Sequence, residues 1–182
     1  MININKLKFT TLQQEILRFL SVKAGVSFNI HMISKKLGVS MTAVAKSIHL
    51  LEKEELIKAK QDKESKRWSI ELNRDNHYVI WLKRADNLRA LYESGLMQFL
   101  YNKFPGTLII LFGSYSYGID TYDSDIDIAI IGTKEKEISL KEYEDFLERD
   151  IFLQFYSSIK KIHRNLRNNI INGVVLKGVI EL

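Results

Sequence analysis

The first part of the chain switches between two spacings of apolar residues, one helical and one strand-like. Helical spacing predicts three helices, over residues 11–21, 30–37 and 41–55. Asn29 and Ser40 are side chains that cap helix starts, and Gly38 suits the end of the middle helix. Strand-like alternation follows over residues 56–60 and 67–72, on either side of a polar turn. This order predicts a helix-turn-helix followed by a β-hairpin.

The remaining pattern mixes helices with strands. It predicts helices over residues 77–93 and 95–104, and strands over residues 108–112, 125–131 and 150–156. The first of these helices has an apolar stripe, which we expect to pack in the core or between domains, or to form a dimer seam; the stripe is Trp81, Ala85, Leu88 and Tyr92. A polar cluster at residues 73–76 marks a break. We therefore expect an α+β chain with domains at residues 1–75 and 95–182, joined by a connecting helix at residues 76–94.

Charge is unevenly distributed along the chain, whose formal net charge is +5. Residues 1–75 hold 14 Lys or Arg and 8 Asp or Glu, whereas residues 76–182 hold 13 and 14. The basic excess belongs to the first domain, which suits a polyanionic partner. A solvated lysine-rich surface is the other interpretation.

Composition excludes several classes of protein. The absence of cysteine excludes a disulfide framework and thiolate metal sites, and it fits a reducing compartment. The first residues lack the apolar run of a signal peptide, and no stretch approaches the roughly 20 apolar residues that span a bilayer. The histidines are scattered, without the spacing of a zinc site. We expect a soluble, cytoplasmic protein without a membrane partner.

The first domain carries a turn at Leu37-Gly38-Val39-Ser40, a helix end at residues 50–57 and a basic hairpin. This stretch resembles the winged helix-turn-helix families of prokaryotic transcription regulators. A recognition helix of this kind offers its polar face to the major groove, and the wing meets phosphates. The residues expected to contact double-stranded DNA are Ser40, Thr42, Lys46, Ser47 and His49 of the helix, and Lys63, Lys66 and Arg67 of the wing. A protein–protein module of the same fold is the alternative.

The chemistry is concentrated in residues 108–131, where a buried strand runs into a Gly-Ser pair and a polar turn. Alternation in the next strand places Asp125 and Asp127 on one face of a sheet. Neighbouring carboxylates repel each other, and a divalent cation between them offsets that cost. Such oxygen ligands suit Mg²⁺, which binds through a few carboxylates plus substrate phosphates. Gly113 allows close approach of a phosphate, and Ser114 can donate a hydrogen bond to it. The expected ligand is a metal-bound nucleoside triphosphate.

Ten residues separate Gly113-Ser114 from Asp125-Ile126-Asp127, and Ser124 precedes the first aspartate. This pattern resembles the nucleotidyltransferase superfamily that includes polymerase beta, in particular its minimal nucleotidyltransferase branch. Residues 168–176 resemble the closing helix and turn of archaeal-type members with the same two-domain order. The resemblance implies a mixed sheet with helices. It also implies transfer of a nucleoside monophosphate from an NTP, expected to be ATP, with Mg²⁺ bound at Asp125 and Asp127. Gly113, Ser114 and Ser124 would contact the nucleotide.

Two positions depart from the superfamily pattern. A third catalytic carboxylate usually lies on a later strand, which the strand at residues 150–156 matches. The superfamily position falls nearer Phe152 than Asp150, so either Asp150 substitutes from the strand edge or the site is incomplete. An arginine often precedes the second glycine of the loop, where this chain has Tyr117 before Gly118. Both departures affect transfer more than nucleotide binding.

Three functions remain open on the sequence alone. The first is an active nucleotidyltransferase with a DNA-binding domain. The second is a transcription regulator whose nucleotidyltransferase-like domain only binds a nucleotide or mediates assembly. The third is an antitoxin that silences a toxin by nucleotide transfer, for which membership of the family is the support. The acceptor would be an RNA or a toxin, and a homodimer with its seam at residues 77–104 is the expected assembly by analogy.

Overall fold

The computed structural model describes residues 8–63 and 67–180. The chain divides into two compact units, with the boundary between Val79 and Ile80. The first unit combines helices with a β-hairpin, and the second is built on a four-stranded mixed sheet with helices. The predicted α+β class is therefore confirmed.

The first unit has the element order of a winged helix. Its elements are α1 (Thr11–Val22), α2 (Ile30–Leu37), α3 (Met41–Lys53), β1 (Ile57–Gln61) and β2 (Trp68–Leu72). The strands pair antiparallel, and Phe28 bridges to Ile70 beside them. Apolar residues of all three helices are fully buried with Ile70, among them Ile16, Ile33 and Val44. The apolar residues that gave the helical and the strand-like spacing in the sequence are thus buried in one core.

Polar caps and one glycine set the ends of these helices. Thr10 accepts a bond from the Gln13 backbone N–H, and the Gln13 side chain bonds back to the Thr10 backbone. Asn29 and Ser40 accept backbone N–H groups at the starts of α2 and α3. Gly38 ends α2 with a φ of 66°, in the left-handed region where glycine carries no steric penalty. The helix-turn-helix therefore follows from local sequence.

The second unit alternates helices with the strands of its sheet. Its first helix, α4 (His77–Glu93), begins three residues before the boundary. The other elements are α5 (Leu96–Lys103), β3 (Leu108–Phe112), α6 (Gly113–Tyr117), β4 (Ile126–Ile131), α7 (Lys141–Leu147), β5 (Ile151–Tyr156), α8 (Arg164–Ile171) and β6 (Val174–Lys177). The strand order is β5-β4-β3-β6. Strand β3 pairs antiparallel with β4 and β6, whereas β4 and β5 are parallel. The boundaries of α4, α5, β3, β4 and β5 lie within a few residues of those predicted, and the turn expected after Gly113 is the short helix α6. Helix α7 was not predicted, and the closing helix and turn expected at residues 168–176 are the end of α8 and strand β6.

Two apolar clusters cover the two faces of this sheet. On one face, Ile109, Leu111 and Ile128 pack with residues of α4 and α5, such as Leu91 and Leu100. On the other, the cluster joins strand residues to α8 and contains Leu108, Ile110, Phe112, Ala129, Ile131, Ile162 and Ile170. Every residue of β3 is buried. The continuous apolar run of the sequence is therefore explained by burial from both sides.

The apolar stripe of α4 packs in the core of its unit only through Leu88, which lies against the cluster that contains Leu91. Trp81 is 66% exposed and Tyr92 is 58% exposed. The buried side of α4 instead carries Lys83, Asn87 and Leu91. The prediction of core packing was wrong for the rest of the stripe because two polar side chains find partners on a distant segment, which helical spacing does not reveal.

Candidate functional site

A tight contact between Gly113 and Asp127 lies at the centre of the site. Gly113 follows β3 with a φ of 74°, and a Cβ built there would lie 2.5 Å from Oδ2 of Asp127. With any other residue the Asp127 side chain would have to move, and the left-handed backbone at this position would be strained. The end of β3 and the start of β4 are thereby joined at one point, where β3 enters the short helix α6.

Helix α6 places Ser114 next to this contact. Ser114 is partly buried in the first turn of the helix. The Ser116 hydroxyl donates to the Gly113 carbonyl at 2.8 Å, which holds the turn closed. Gly118 ends α6 so close to α4 that a Cβ there would lie 2.6 Å from the Ile80 carbonyl oxygen. Helix α6, which carries the Gly-Ser pair, is thus held at its start by the Ser116 bond and at its end by the close approach of Gly118 to α4.

Asp125 and Asp127 stand at the start of β4. Asp127 is partly buried between Ile126 and Ile128, which are fully buried, and Asp125 is exposed just before the strand. Burial, followed by the negative charge of Asp125, raises the pKa of Asp127 above its ordinary value. The fold therefore holds a carboxylate in a position that disfavours its charge, which a bound cation would relieve.

Strand β5 places Phe152, not an acid, beside Asp127. The parallel register pairs Asp127 with Phe152 and Ile126 with Ile151. Asp150 is exposed just before the strand, and its carbonyl accepts the Ile126 N–H at 2.9 Å. Asp150 therefore lies level with the start of β4, near Asp125, and the place of a third carboxylate next to Asp127 is taken by a ring.

An open cleft of about 370 Å³ adjoins the two exposed aspartates. Asp125 and Asp150 both line it. Its other lining residues are Tyr122, Asp123, Ser124, Lys141, Glu144, Asp145, Glu148 and Arg149. Acids outnumber bases on these walls, so the cleft favours cations over anions.

The turn before β4 uses the hydroxyl of Ser124. This oxygen accepts the Thr121 N–H at 2.9 Å and lies 3.0 Å from the Thr121 hydroxyl. Thr121 also donates to Asp123, and this bond holds the pKa of Asp123 below its usual range. The structure thus places Ser124 in a hydrogen-bonded turn just before Asp125. This role in the turn differs from the nucleotide contact that the sequence analysis expected of Ser124.

A buried ionic cluster next to the site escaped the sequence analysis. Lys83 Nζ lies 2.7 Å from Oδ2 of Asp120, and Asn87 donates to Oδ1 of Asp120 at 2.8 Å. The Arg149 guanidinium approaches Asp120 at 3.7 Å, and Asn87 also donates to the Tyr115 carbonyl. All of these side chains are buried. Asp120 thus links α4 to the segment before β5, and Asn87 links α4 to α6.

The sequence signal for this cluster was weak. Lys83 and Asn87 lie four residues apart, and Leu91 lies four further on, which is the spacing of one helical face. Polar side chains on such a face ordinarily point to solvent. Only the pairing with Asp120, far along the chain, shows that they are buried.

The exposed face of α3 carries most of the residues expected to contact DNA. Thr42, Lys46 and His49 are exposed, at the spacing of one helical face. Ser40 is exposed at the helix start, where it accepts the Ala43 N–H at 3.2 Å. Ser47 requires a correction, because it is only 7% exposed and lies on the core side of the helix with Val44 and Ile48.

The hairpin of the first unit presents further basic residues. Lys63 and Arg67 are exposed, and Asp62 donates its N–H to the Arg67 carbonyl at 2.9 Å. Lys66 lies outside the described residues. Lys60, exposed at the end of β1, was missed by the sequence analysis although its alternation with Lys58 could have indicated it. The described part of the wing is therefore basic along β1 and at the turn, where Lys63 and Arg67 lie, whereas β2 itself has no basic residue.

Within residues 8–63 and 67–180, no three His, Cys, Asp or Glu side chains form a group able to hold a metal ion. Asp125 and Asp127 therefore supply two carboxylates at most. The donor set still fits Mg²⁺, which is commonly bound through one or two carboxylates together with substrate phosphates. The described helices are also too short or too polar to cross a membrane.

The comparison with protein families concerns the second unit. Residues 94–177 match the family model of the nucleotidyltransferase domain. The match includes the Gly-Ser pair, the Asp-Ile-Asp element and the sheet that joins them. It confirms the resemblance predicted from these motifs.

Three chains among the solved structures also match. A variant of Lactococcus lactis ZitR is 26% identical over 58% of this chain and 69% of its own length, with a TM-score of 0.38. The crystal structure of L. lactis ZitR, a zinc-responsive MarR family member, is 25% identical over 58% of this chain and 70% of its own, with a TM-score of 0.37. No curated protein matches the chain.

Proposed function

We propose that this protein is a DNA-binding regulator whose second unit binds a magnesium–nucleoside triphosphate complex. The observation that carries the proposal is the contact between Gly113 and Asp127, with Asp125 beside it. Asp127 is partly buried with a raised pKa, so its charged form is costly unless a bound cation compensates it. The match to the nucleotidyltransferase domain supports the same ligand class.

Different groups of the site would bind different parts of the ligand. Backbone groups at Gly113 and Ser114, with the Ser114 hydroxyl, would bind the phosphates. Asp125 and Asp127 would hold Mg²⁺, which neutralises the charge shared by the carboxylates and the phosphates when bound. Ser124 keeps Asp125 in place through its bonds to Thr121. ATP and GTP are both ligands of the proposed class.

The position of Phe152 favours binding over turnover. A phenyl ring beside Asp127 can neither accept a proton from an attacking hydroxyl nor hold a second metal ion. The regulator is therefore the first candidate. DNA binding is assigned to Thr42, Lys46 and His49 on α3 and to the basic hairpin, because these exposed residues provide the polar face and the phosphate contacts.

Nucleotidyl transfer is the second candidate, and the location of Asp150 favours it. Asp150 lines the same cleft as Asp125 and could serve as the third carboxylate from the strand edge. Asp150 would then accept the proton of an acceptor hydroxyl. The hydroxyl oxygen would bond to the α-phosphorus of the nucleotide as pyrophosphate departs. An RNA or a toxin side chain is the acceptor class that this reaction would serve.

The nucleotide site is tested by calorimetry with ATP and GTP, with and without Mg²⁺. We expect magnesium-dependent binding by the unmodified protein, and its loss in the double variant Asp125→Asn, Asp127→Asn. Asp145→Asn is the matched control, since it removes an exposed carboxylate from the same cleft outside the Gly-Ser contact. No binding by the unmodified protein, or equal loss in the control, would contradict the proposal.

Transfer is tested separately with nucleoside triphosphates labelled on the α-phosphate. Labelled product on RNA, on a protein acceptor or on the chain itself would favour the second candidate. In that case, Asp150→Asn should abolish the label and leave nucleotide binding intact. Binding without label on any acceptor would favour the regulator.

A further inference from the structure

One row of side chains crosses the sheet at the end where the site lies. Phe112 of β3 pairs with Asp127 of β4, and Asp127 pairs with Phe152 of β5. Paired residues on neighbouring strands point to the same face of a sheet. The Asp127 carboxylate is therefore flanked by two rings. Phe112 is 3% exposed, whereas Phe152 is 51% exposed, so one ring is buried and the other is open.

Packing in the core does not explain why a phenylalanine is present at position 152. It belongs to neither of the two apolar clusters described for the sheet. In the next rows of the same face, Ala129 and Ile131 are buried in the cluster that contains α8. Strand β5 is at the edge of the sheet, which leaves the Phe152 ring accessible. A half-exposed phenylalanine forgoes much of the hydrophobic stabilisation that burial would provide.

We propose that the Phe152 ring is a stacking platform for a nucleobase. The inference rests on the proposed function, because it takes the phosphates to lie at Gly113 and Ser114. The strand order puts the glycine turn on one side of Asp127 and Phe152 on the other. Neighbouring strands are about 4.8 Å apart, so the ring lies roughly 10 Å from the glycine turn, within reach of an extended nucleotide.

Stacking on a ring favours ligands that carry a base, whatever that base is. Every nucleobase has a flat face, so a lone aromatic platform binds the base without selecting its identity. The base belongs either to the bound triphosphate or to the end of a single-stranded nucleic acid. In either case, the ring adds affinity only for ligands that carry a base.

The experiment compares ATP with inorganic tripolyphosphate, which has the phosphates and no base, by calorimetry in Mg²⁺. Phe152→Ala should weaken ATP binding about tenfold, given typical base-stacking energies, and leave tripolyphosphate binding unchanged. Phe152→Tyr should retain ATP affinity because it keeps the ring. Phe146→Ala is the matched control: Phe146 is 58% exposed on α7 and should be neutral.

The outcomes separate this inference from the proposed function. If the unmodified protein binds neither ligand, the nucleotide site itself is wrong. If ATP and tripolyphosphate bind and Phe152→Ala weakens the binding of neither ATP nor a single-stranded oligonucleotide, the site stands and the stacking platform is wrong. If Phe152→Ala weakens only a single-stranded oligonucleotide, the base comes from a strand end; if it weakens ATP, the base is that of the triphosphate.

Discussion

At the scale of single residues, the site depends on Gly113. Gly113 and Gly106 have nearly the same φ, 74° and 72°, but a Cβ on Gly106 would meet nothing within 4 Å. An alanine in the left-handed region costs about 1–2 kcal/mol. Gly113→Ala and Gly106→Ala should therefore both lower stability by about that amount, whereas only Gly113→Ala should abolish nucleotide binding. Chemical denaturation and calorimetry check the two effects. Equal nucleotide affinity in the two variants would contradict the assigned role of Gly113.

The raised pKa of Asp127 makes a prediction about pH. An acid whose pKa is higher in the folded than in the unfolded state contributes stability at low pH, and this contribution is lost as the pH rises through the folded pKa. Without Mg²⁺, Asp127→Asn should therefore raise the thermal midpoint at neutral pH, with a gain that shrinks below the ordinary aspartate range. Asp145→Asn should show no such gain. Scanning calorimetry at several pH values measures the thermal midpoints. A gain for Asp127→Asn that does not change with pH would contradict the prediction.

At the scale of elements, α3 contains a matched pair of residues that tests the proposed DNA contact. Lys46 is exposed and its neighbour Ser47 is buried. Lys46→Ala should weaken binding to all DNA sequences and reduce the slope of log affinity against log salt by about 1, since one phosphate contact is lost. Ser47→Ala should leave both unchanged. Fluorescence anisotropy over a salt series measures the slope, and an effect of Ser47→Ala equal to that of Lys46→Ala would place DNA elsewhere.

The Asp120 cluster joins elements in the second unit. Asp120→Asn removes the carboxylate on which Lys83 and Arg149 converge, and loss of one member of a buried ion pair typically costs about 3–5 kcal/mol. Urea denaturation should show this loss. Asp75→Asn, which breaks the exposed pair with Lys58, should leave the free energy of unfolding unchanged within error. A small effect for Asp120→Asn would mean that neighbouring groups satisfy the buried cations.

At the scale of the whole molecule, local patterns predicted more than distant pairings. The caps at Asn29 and Ser40, the glycine end of α2 and the apolar run of β3 determine their own elements, so the sequence predicted these elements closely. The Gly-Ser and Asp-Ile-Asp spacing likewise predicted the match to the nucleotidyltransferase domain, because the motif lies within one β3–β4 connection.

What the sequence could not show depends on residues far apart in the chain. Lys83 is buried because it meets Asp120, and helical periodicity contains no information about that partner. The superfamily pattern pointed to Phe152, but only the sheet shows that its ring is half exposed in the row of Asp127. Ser47 looks like part of a polar face until the packing of α3 shows it on the core side. Each miss was a polar or aromatic side chain whose environment came from another segment.

The strand order has a consequence for synthesis on the ribosome. Strand β3 is central and buried, yet one of its two partners, β6, is the last of the described strands to be made. Until β6 emerges, a nascent chain displays the apolar edge of β3 to other chains, and such edges promote aggregation. Expression should therefore depend on how quickly translation proceeds from β3 to β6. Ribosome stalling between these strands should direct more of the product into aggregates than stalling after β6.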